Sequence, residues 1–296
     1  MFESSPQSQF AIAYNLAKAD GSIVHMVAIF AVSSKEPRML LLCNDEVIQM
    51  CTPGTTDGLI VGTQQGSFYL YDLTEVEEAQ THSSAVGVLS DDTRGADYEF
   101  FTEKLVPDYA SLPPYKKNAF LEKARMKYPV KTPAFSSDGL AEHPHLSPIQ
   151  KLVFISRAPG TSVAKIGALD QDGVISVWSV VEGENLTGEY DLNMSIGCKF
   201  KLSLNFTEHL LDHPTVLAEE DPLGLNFASE TVEIEFDPID PQLFFFSTSR
   251  GLFKIDKNET VATPQLLDSV GLNCPTALSI CDRGFLLAAY SCGSIW

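Results

Sequence analysis

Basic residues are scarce in this chain. Lys and Arg together number 20 against 39 Asp and Glu, a net charge of −19 over 296 residues. Affinity for a phosphate backbone comes from cationic groups that release counterions, so this balance argues against nucleic-acid binding. It argues equally against docking on an anionic lipid surface, and it suits a basic protein partner. No apolar run approaches the ~18 residues that span a bilayer. The opening Met1-Phe2-Glu3-Ser4-Ser5-Pro6 lacks the basic region and apolar stretch of a secretion signal. Asn-x-Ser/Thr triplets begin at Asn185, Asn193, Asn205 and Asn258 and are read as chance matches.

Cysteine chemistry is missing as well. The six residues Cys43, Cys51, Cys198, Cys274, Cys281 and Cys292 contain no Cys-x-x-Cys pair, so neither a zinc ribbon nor a redox motif is present. Cys43 ends the apolar run Leu40-Leu41-Leu42, where a thiol acts as a small core hydrophobe. That usage fits a reducing compartment. There is no Gly-x-x-x-x-Gly-Lys-Ser/Thr phosphate loop and no Gly-x-Ser-x-Gly nucleophile elbow. His143-Pro144-His145 is the one close His pair; two ligands without a third fall short of a zinc site, and loop histidines beside proline are expected to face solvent. Asp91-Asp92 and Glu219-Glu220-Asp221 lie in polar connectors and lack the oxygen spacing of a calcium loop. The sequence thus points to no catalytic, cofactor-binding or metal-binding residue, and the expectation is that the protein is not an enzyme.

Hydrophobic content of 44% and charged content of 20% are ordinary for a globular protein of this length, which can bury a sizeable core. Within it one unit recurs. A short β-rich run leads to a polar turn, a Gly, and a second β-rich run. The copies are Leu59–Leu73 around Gly66, Ile166–Val180 around Gly173, Phe244–Ile255 around Gly251, and Leu286–Trp296 around Gly293. Branched and aromatic residues favour a pleated, half-buried surface, and Gly supplies the positive φ that a tight hairpin turn needs. In the second copy Val174, Ser176 and Trp178 alternate with Ile175, Val177 and Ser179, as in a strand packed between two sheets.

Spacing turns four hairpins into an architecture. Gly251 and Gly293 stand 42 positions apart, within the ~40–45 residues of a four-stranded WD-type blade. Gly173 to Gly251 is 78 positions, two blades or one blade with an insertion, and Gly66 to Gly173 is 107, one blade plus added sequence. Thr231-Val232-Glu233-Ile234-Glu235-Phe236 reads as the strand preceding the third hairpin, ended by Asp237-Pro238. The expected fold is an all-β propeller of about four blades, incomplete, with a helical insertion; a sandwich or barrel is the alternative. Residues 1–90 hold the first blades, 91–145 the insertion, and 146–296 further blades cut short at the C-terminus. In the insertion, Pro113-Pro114 precede a helix from Tyr115 to Tyr128. It carries the one basic cluster, Lys116, Lys117, Lys123, Arg125 and Lys127, beside a short apolar face of Phe120, Leu121 and Ala124. Either a partner-binding projection or a solvated cover over a sheet edge accounts for it.

The hairpins carry a resemblance. Gly62-Thr63-Gln64-Gln65-Gly66-Ser67 with Tyr71-Asp72-Leu73 resembles the end of a WD repeat, Tyr-Asp standing where Trp-Asp is usual. Leu169-Asp170-Gln171-Asp172-Gly173-Val174 through Trp178 resembles the same element of dynein intermediate chains. Pro133 to Gly139, His145 to Ile149 and Asp237-Pro238 through Leu252 follow in that family's order. From about Val47 onward the chain is similar to the WD-repeat dynein intermediate chain family, its cytoplasmic dynein-2 branch above all; the match is poor between Asp97 and Tyr128. The resemblance implies a non-catalytic subunit of cytoplasm, cytoskeleton and cilium. It would hold a dynein heavy chain through its propeller and support retrograde intraflagellar transport and cilium assembly. The light-chain-binding region of the family has no counterpart here, so light chains are implied only for a longer chain, and this one reads as a fragment. A WD-repeat scaffold of another class, an axonemal chain or an assembly adaptor, is the alternative.

Overall fold

Strands form wherever the sequence sets β-branched and aromatic residues between polar turns. The computed structural model describes residues 9–18, 21–32, 34, 37–53, 58–73, 113, 116, 130–140, 144–157, 163–182, 200–213, 216, 231–249, 251–259, 263–268, 274–281 and 285–296. The chain divides into two compact units, Met1–Val47 with Leu73–Pro133, and Ile48–Asp72 with Ala134–Trp296.

The first unit is one sheet. Strand β1 (Gln9–Ala17) pairs antiparallel with β2 (Ile23–Ala31) in unbroken register, and β2 pairs with β3 (Pro37–Cys43). Gly21, at φ 86°, makes the β1–β2 turn. As the inner strand, β2 is buried on both faces, and Met26, Val27 and Ala28 are wholly enclosed. Val24, Met26, Ala28, Phe30 and Leu40 form its core, with Tyr14 and Leu16 packed against them. The two-residue strand β7 (Val130–Lys131) joins β3 in parallel, a pairing that needs a long crossover connection.

The second unit is a series of antiparallel sheets in chain order. β4 (Val47–Cys51), β5 (Gly58–Thr63), β6 (Phe68–Asp72) and β8 (Phe135–Ser136) make the first. The second holds β9 (Ile149–Arg157), β10 (Val163–Asp170), β11 (Val174–Glu182) and β12 (Phe200–His209). β13 (Thr231–Phe236), β14 (Leu243–Thr248), β15 (Leu252–Asp256) and β16 (Gln265–Asp268) make the third. β17 (Pro275–Ile280) and β18 (Leu286–Tyr290) begin a fourth, to which Ile295 bridges at Ala289. Each sheet packs face-on against the next. Ile60, Phe68, Leu70 and Phe135 of the first meet Leu152, Ile166 and Trp178 of the second. Ile155, Leu169 and Val177 meet Ile234, Phe236 and Phe246 of the third, and Leu252 meets Leu278 and Tyr290 of the fourth. Four-stranded meanders stacked face to face are propeller blades, and the fold is all-β.

The repeated sequence unit has one structural meaning. Each copy is the hairpin of a blade's second and third strands: β5–β6, β10–β11, β14–β15, and β18 with Ile295-Trp296. The strand predicted before the third copy is β13, paired with β14 as expected. Among the described residues, the 78 positions between Gly173 and Gly251 hold a single blade step, the second sheet packing directly on the third. Val130–Lys131 and Phe135–Ser136, inside the 91–145 segment, close sheets of the first and second unit respectively. The helix expected at 115–128 lies outside the described residues except for Lys116, whose N–H bonds the Pro113 carbonyl at 2.8 Å. One turn departs from expectation. Gly66 and Gly173 have φ of 86° and 80°, but Gly251 lies outside the left-handed region. A Cβ there would instead sit 2.8 Å from the Asp268 carbonyl oxygen, so closeness and not φ calls for Gly.

Candidate functional site

The chemistry-bearing residues of the second unit gather where the β10–β11 turn meets the loop entering β9. Asp170 ends β10, and its Oδ1 accepts the Val174 N–H at 2.8 Å, closing the turn over Gly173. Its other oxygen, Oδ2, lies 3.0 Å from His145 Nδ1. On the far side of the ring, His145 Nε2 is 2.6 Å from Ser176 Oγ, which accepts the Trp178 indole N–H at 2.7 Å. Asp170, His145, Ser176 and Trp178 are all 0–1% exposed. The chain of bonds is complete when the imidazole carries its proton on Nδ1: Trp178 donates to Ser176, Ser176 to His145, and His145 to Asp170.

This is the connectivity of a Ser-His-Asp hydrolase, and geometry alone would pass it. Access fails it. A nucleophilic Oγ must meet a substrate carbonyl, yet Ser176 has no exposed surface and its oxygen is occupied by the indole. Phe68 and Phe135 seal the other side by packing edge-on to Trp178, at ring separations of 5.1 and 6.4 Å. The network therefore holds structure in place. Buried polar groups fully satisfied in this way fix one arrangement, because each broken bond leaves a desolvated group unpaired.

What it fixes is a junction of blades. Ser147 Oγ bonds Asp172 Oδ2, and the Gln171 N–H bonds the Pro148 carbonyl at 3.0 Å, pinning the loop to the turn. Gly66 on the preceding blade comes so near that a Cβ would stand 2.8 and 2.9 Å from the Ser147 and His145 carbonyl oxygens. Thr231, opening the following blade, donates its hydroxyl to the Asp170 carbonyl at 2.7 Å. The first blade carries a simpler version: Ser137 Oγ accepts the Phe68 N–H, and Tyr69 OH donates to Asp138 Oδ2, both at 2.9 Å.

A second cluster lies on the first strands of the blades. Lys151 on β9 sits 3.0 Å from the Glu233 carboxylate on β13. Burial pushes the Glu235 carboxyl above the usual carboxylate range; Lys151 opposes the shift, Glu233 adds to it, and the Ile280 N–H opposes it. Burial likewise pushes the Cys51 thiol up to about 11, an unreactive cysteine. The exposed Cys292 thiol is instead lowered by its hydrogen bond to Ser294.

The sequence expectation for the His pair is corrected here. His145 is buried at a blade junction because both of its ring nitrogens have a polar partner, Asp170 and Ser176, and His143 lies outside the described residues. Asp91-Asp92, Glu219-Glu220-Asp221, Cys198 and the basic residues Lys117, Lys123, Arg125 and Lys127 also lie outside them. Among the described residues no group of three metal-ligating side chains assembles, and no helix is long and apolar enough to cross a membrane. Asp170, Ser176 and Trp178 were visible only as hairpin residues. Their signal was an Asp-x-x-Gly turn followed by Ser-x-Trp, with a His 25 positions earlier.

Fold and site together define a β-propeller-blade protein with a polar lock at one blade junction. No family model matches the chain, and no curated protein matches it. Among solved structures it is similar to the C-terminal WD40 domain of Sif2, at 10% identity and a TM-score of 0.44, covering 96% of this chain and 53% of that one. It is similar also to Saccharomyces cerevisiae Sqt1, at 11% identity and a TM-score of 0.49, covering 95% and 58%. The chain spans just over half the length of these solved chains. The architecture is read from the strand order, not from these likenesses.

Proposed function

We propose that this chain is a non-catalytic WD-repeat scaffold that binds other proteins, and specifically an intermediate-chain subunit of cytoplasmic dynein-2. The observation that supports the scaffold reading is the His145–Asp170–Ser176–Trp178 network: among the described residues the most reactive-looking constellation is sealed and used to stiffen a blade junction. Stiff blades let loops and rims vary for recognition. The dynein reading is supported by the order of the hairpins around Gly66, Gly173, Gly251 and Gly293 and by the Asp170–Trp178 element. On it, the partner is a dynein heavy chain, the location is cytoplasm and cilium, and the role is retrograde intraflagellar transport and cilium assembly. The net charge of −19 favours a basic face on the partner.

The test is affinity capture of the tagged protein from ciliated cells with mass spectrometry of the co-purifying chains. A dynein heavy chain in the eluate, with retrograde cargo stalled at ciliary tips on deletion, is the expected result. Capture of other assemblies without any dynein subunit removes the dynein reading and favours a WD-repeat scaffold of another class.

A further inference from the structure

Beyond that reading, and whichever partner the blades hold, we infer that Ser147 is a phosphorylation site for proline-directed Ser/Thr kinases. Its phosphate would unlatch the blade junction that the His145 network holds shut. Ser147 stands half-buried in the loop entering β9, and the hydrogen bond from its hydroxyl to Asp172 lies at the surface. Leu146 before it is 88% exposed. Pro148 after it has no N–H, so an apolar groove can take the Ser-Pro step without stranding a donor. The other described Thr-Pro steps are worse placed. Thr52-Pro53 and Thr263-Pro264 have their prolines buried, and Lys131 before Thr132-Pro133 is paired in β7.

The step is a phosphoryl transfer. The Ser147 oxygen attacks the γ-phosphorus of a magnesium-bound nucleoside triphosphate and forms a new O–P bond. The bond from that phosphorus to its bridging oxygen breaks, nucleoside diphosphate leaves, and a kinase carboxylate takes the hydroxyl proton. The contact with Asp172 then changes sign. The hydroxyl donates to Asp172 Oδ2, whereas a phosphate brings a charge of about −1.5 to −2 against the same carboxylate. Both charged residues of the turn Asp170-Gln171-Asp172-Gly173 are acidic, and the neighbouring turn Thr63-Gln64-Gln65-Gly66 has no charge to offer.

The loop has little room to adjust. Its Pro148 carbonyl accepts the Gln171 N–H at 3.0 Å, and a Cβ on Gly66 would already stand 2.8 Å from the Ser147 carbonyl oxygen. His145, two residues before Ser147, and Ile149, two after, are 1% and 0% exposed. A kinase groove therefore takes the segment while the loop is lifted from the turn, a local opening of the kind native proteins undergo. Reclosure sets the phosphate against Asp172, so the modified junction favours the open form. A local charge change thus biases a packed element between two arrangements.

The test incubates the full chain with magnesium ATP and, in turn, a mitogen-activated and a cyclin-dependent protein kinase. Mass spectrometry of the phosphopeptides should find Ser147 as the main site, and Ser147→Ala should abolish it. Phosphorylation should lower Tm by roughly 3–8 °C, against about 2 °C or less for Ser147→Ala, which loses the bond without adding charge. Asp172→Asn should return at least about half of the fall, since it removes the opposing charge. Should that variant fail to fold, raising salt from about 0.05 to 0.5 M should return a similar share by screening a surface pair. No phosphate on Ser147 with either kinase overturns the inference. So does a phosphorylated chain as stable as Ser147→Ala, or a fall in Tm that neither Asp172→Asn nor salt reduces.

Discussion

Replacing Ser176 with Ala removes a single oxygen atom, and the effect can be worked out from the partners it strands. Trp178 Nε1–H loses its acceptor at 2.7 Å and His145 Nε2 loses its donor at 2.6 Å. Neither can turn to water, since both residues are 1% exposed. An unsatisfied buried polar group costs about 1–3 kcal/mol, so two come to about 2–6 kcal/mol, less whatever the site recovers by relaxing. Domains are stable by only about 5–15 kcal/mol, so the loss is a large share of the total. A fall in Tm of roughly 5–15 °C follows for a unit of this size. Trp178→Phe removes the donor, at the expense of the indole's packing against Phe68 and Phe135. In the double variant no indole N–H is left to strand, so its cost should fall short of the sum of the single costs by about 1 kcal/mol or more. Calorimetry and urea unfolding of the four proteins measure the cycle. A cost for Ser176→Ala below about 0.5 kcal/mol, or strict additivity, would refute the view that the network locks the junction.

Other perturbations follow the same logic. Gly66→Ala should cost clearly more than Gly21→Ala by chemical denaturation: both have φ near 86°, a strain of about 1–2 kcal/mol, but only at Gly66 does the new Cβ also meet carbonyl oxygens. For Glu235 the folded-state pKa is raised, so the folded protein penalises the ionised form. Its stability is greatest below the ordinary carboxylate range and declines as pH rises through the raised value. Glu235→Gln should accordingly stabilise the protein near neutral pH and flatten that part of the Tm–pH profile; a stability gap that fails to widen with pH would contradict this. Alkylation by iodoacetamide near pH 8, followed by peptide mass spectrometry, should label Cys292 fast and Cys51 slowly, as their lowered and raised thiols require.

The sequence alone determined the hairpins and their order. Gly-centred turns between β-branched runs are local signals, set by strand propensity and, at Gly66 and Gly173, by φ freedom, and they survive in β5–β6, β10–β11 and β14–β15. The alternation in Thr231–Phe236 was equally local, and it became the first strand of its blade. The lock was not readable in this way. His145 sits beside two prolines in an irregular loop, and nothing within a few residues of it indicates burial. Its partners Asp170 and Ser176 stand 25 and 31 positions away. Whether a buried imidazole is satisfied depends on which groups the packing brings to it. The same holds for Phe135–Ser136, too short to register as a strand until the edge of β6 is there to pair it. It holds also for Gly251, whose neighbour Asp268 arrives from the adjacent strand. Local chemistry wrote the blades; only packing decided which of their polar atoms would be sealed between them.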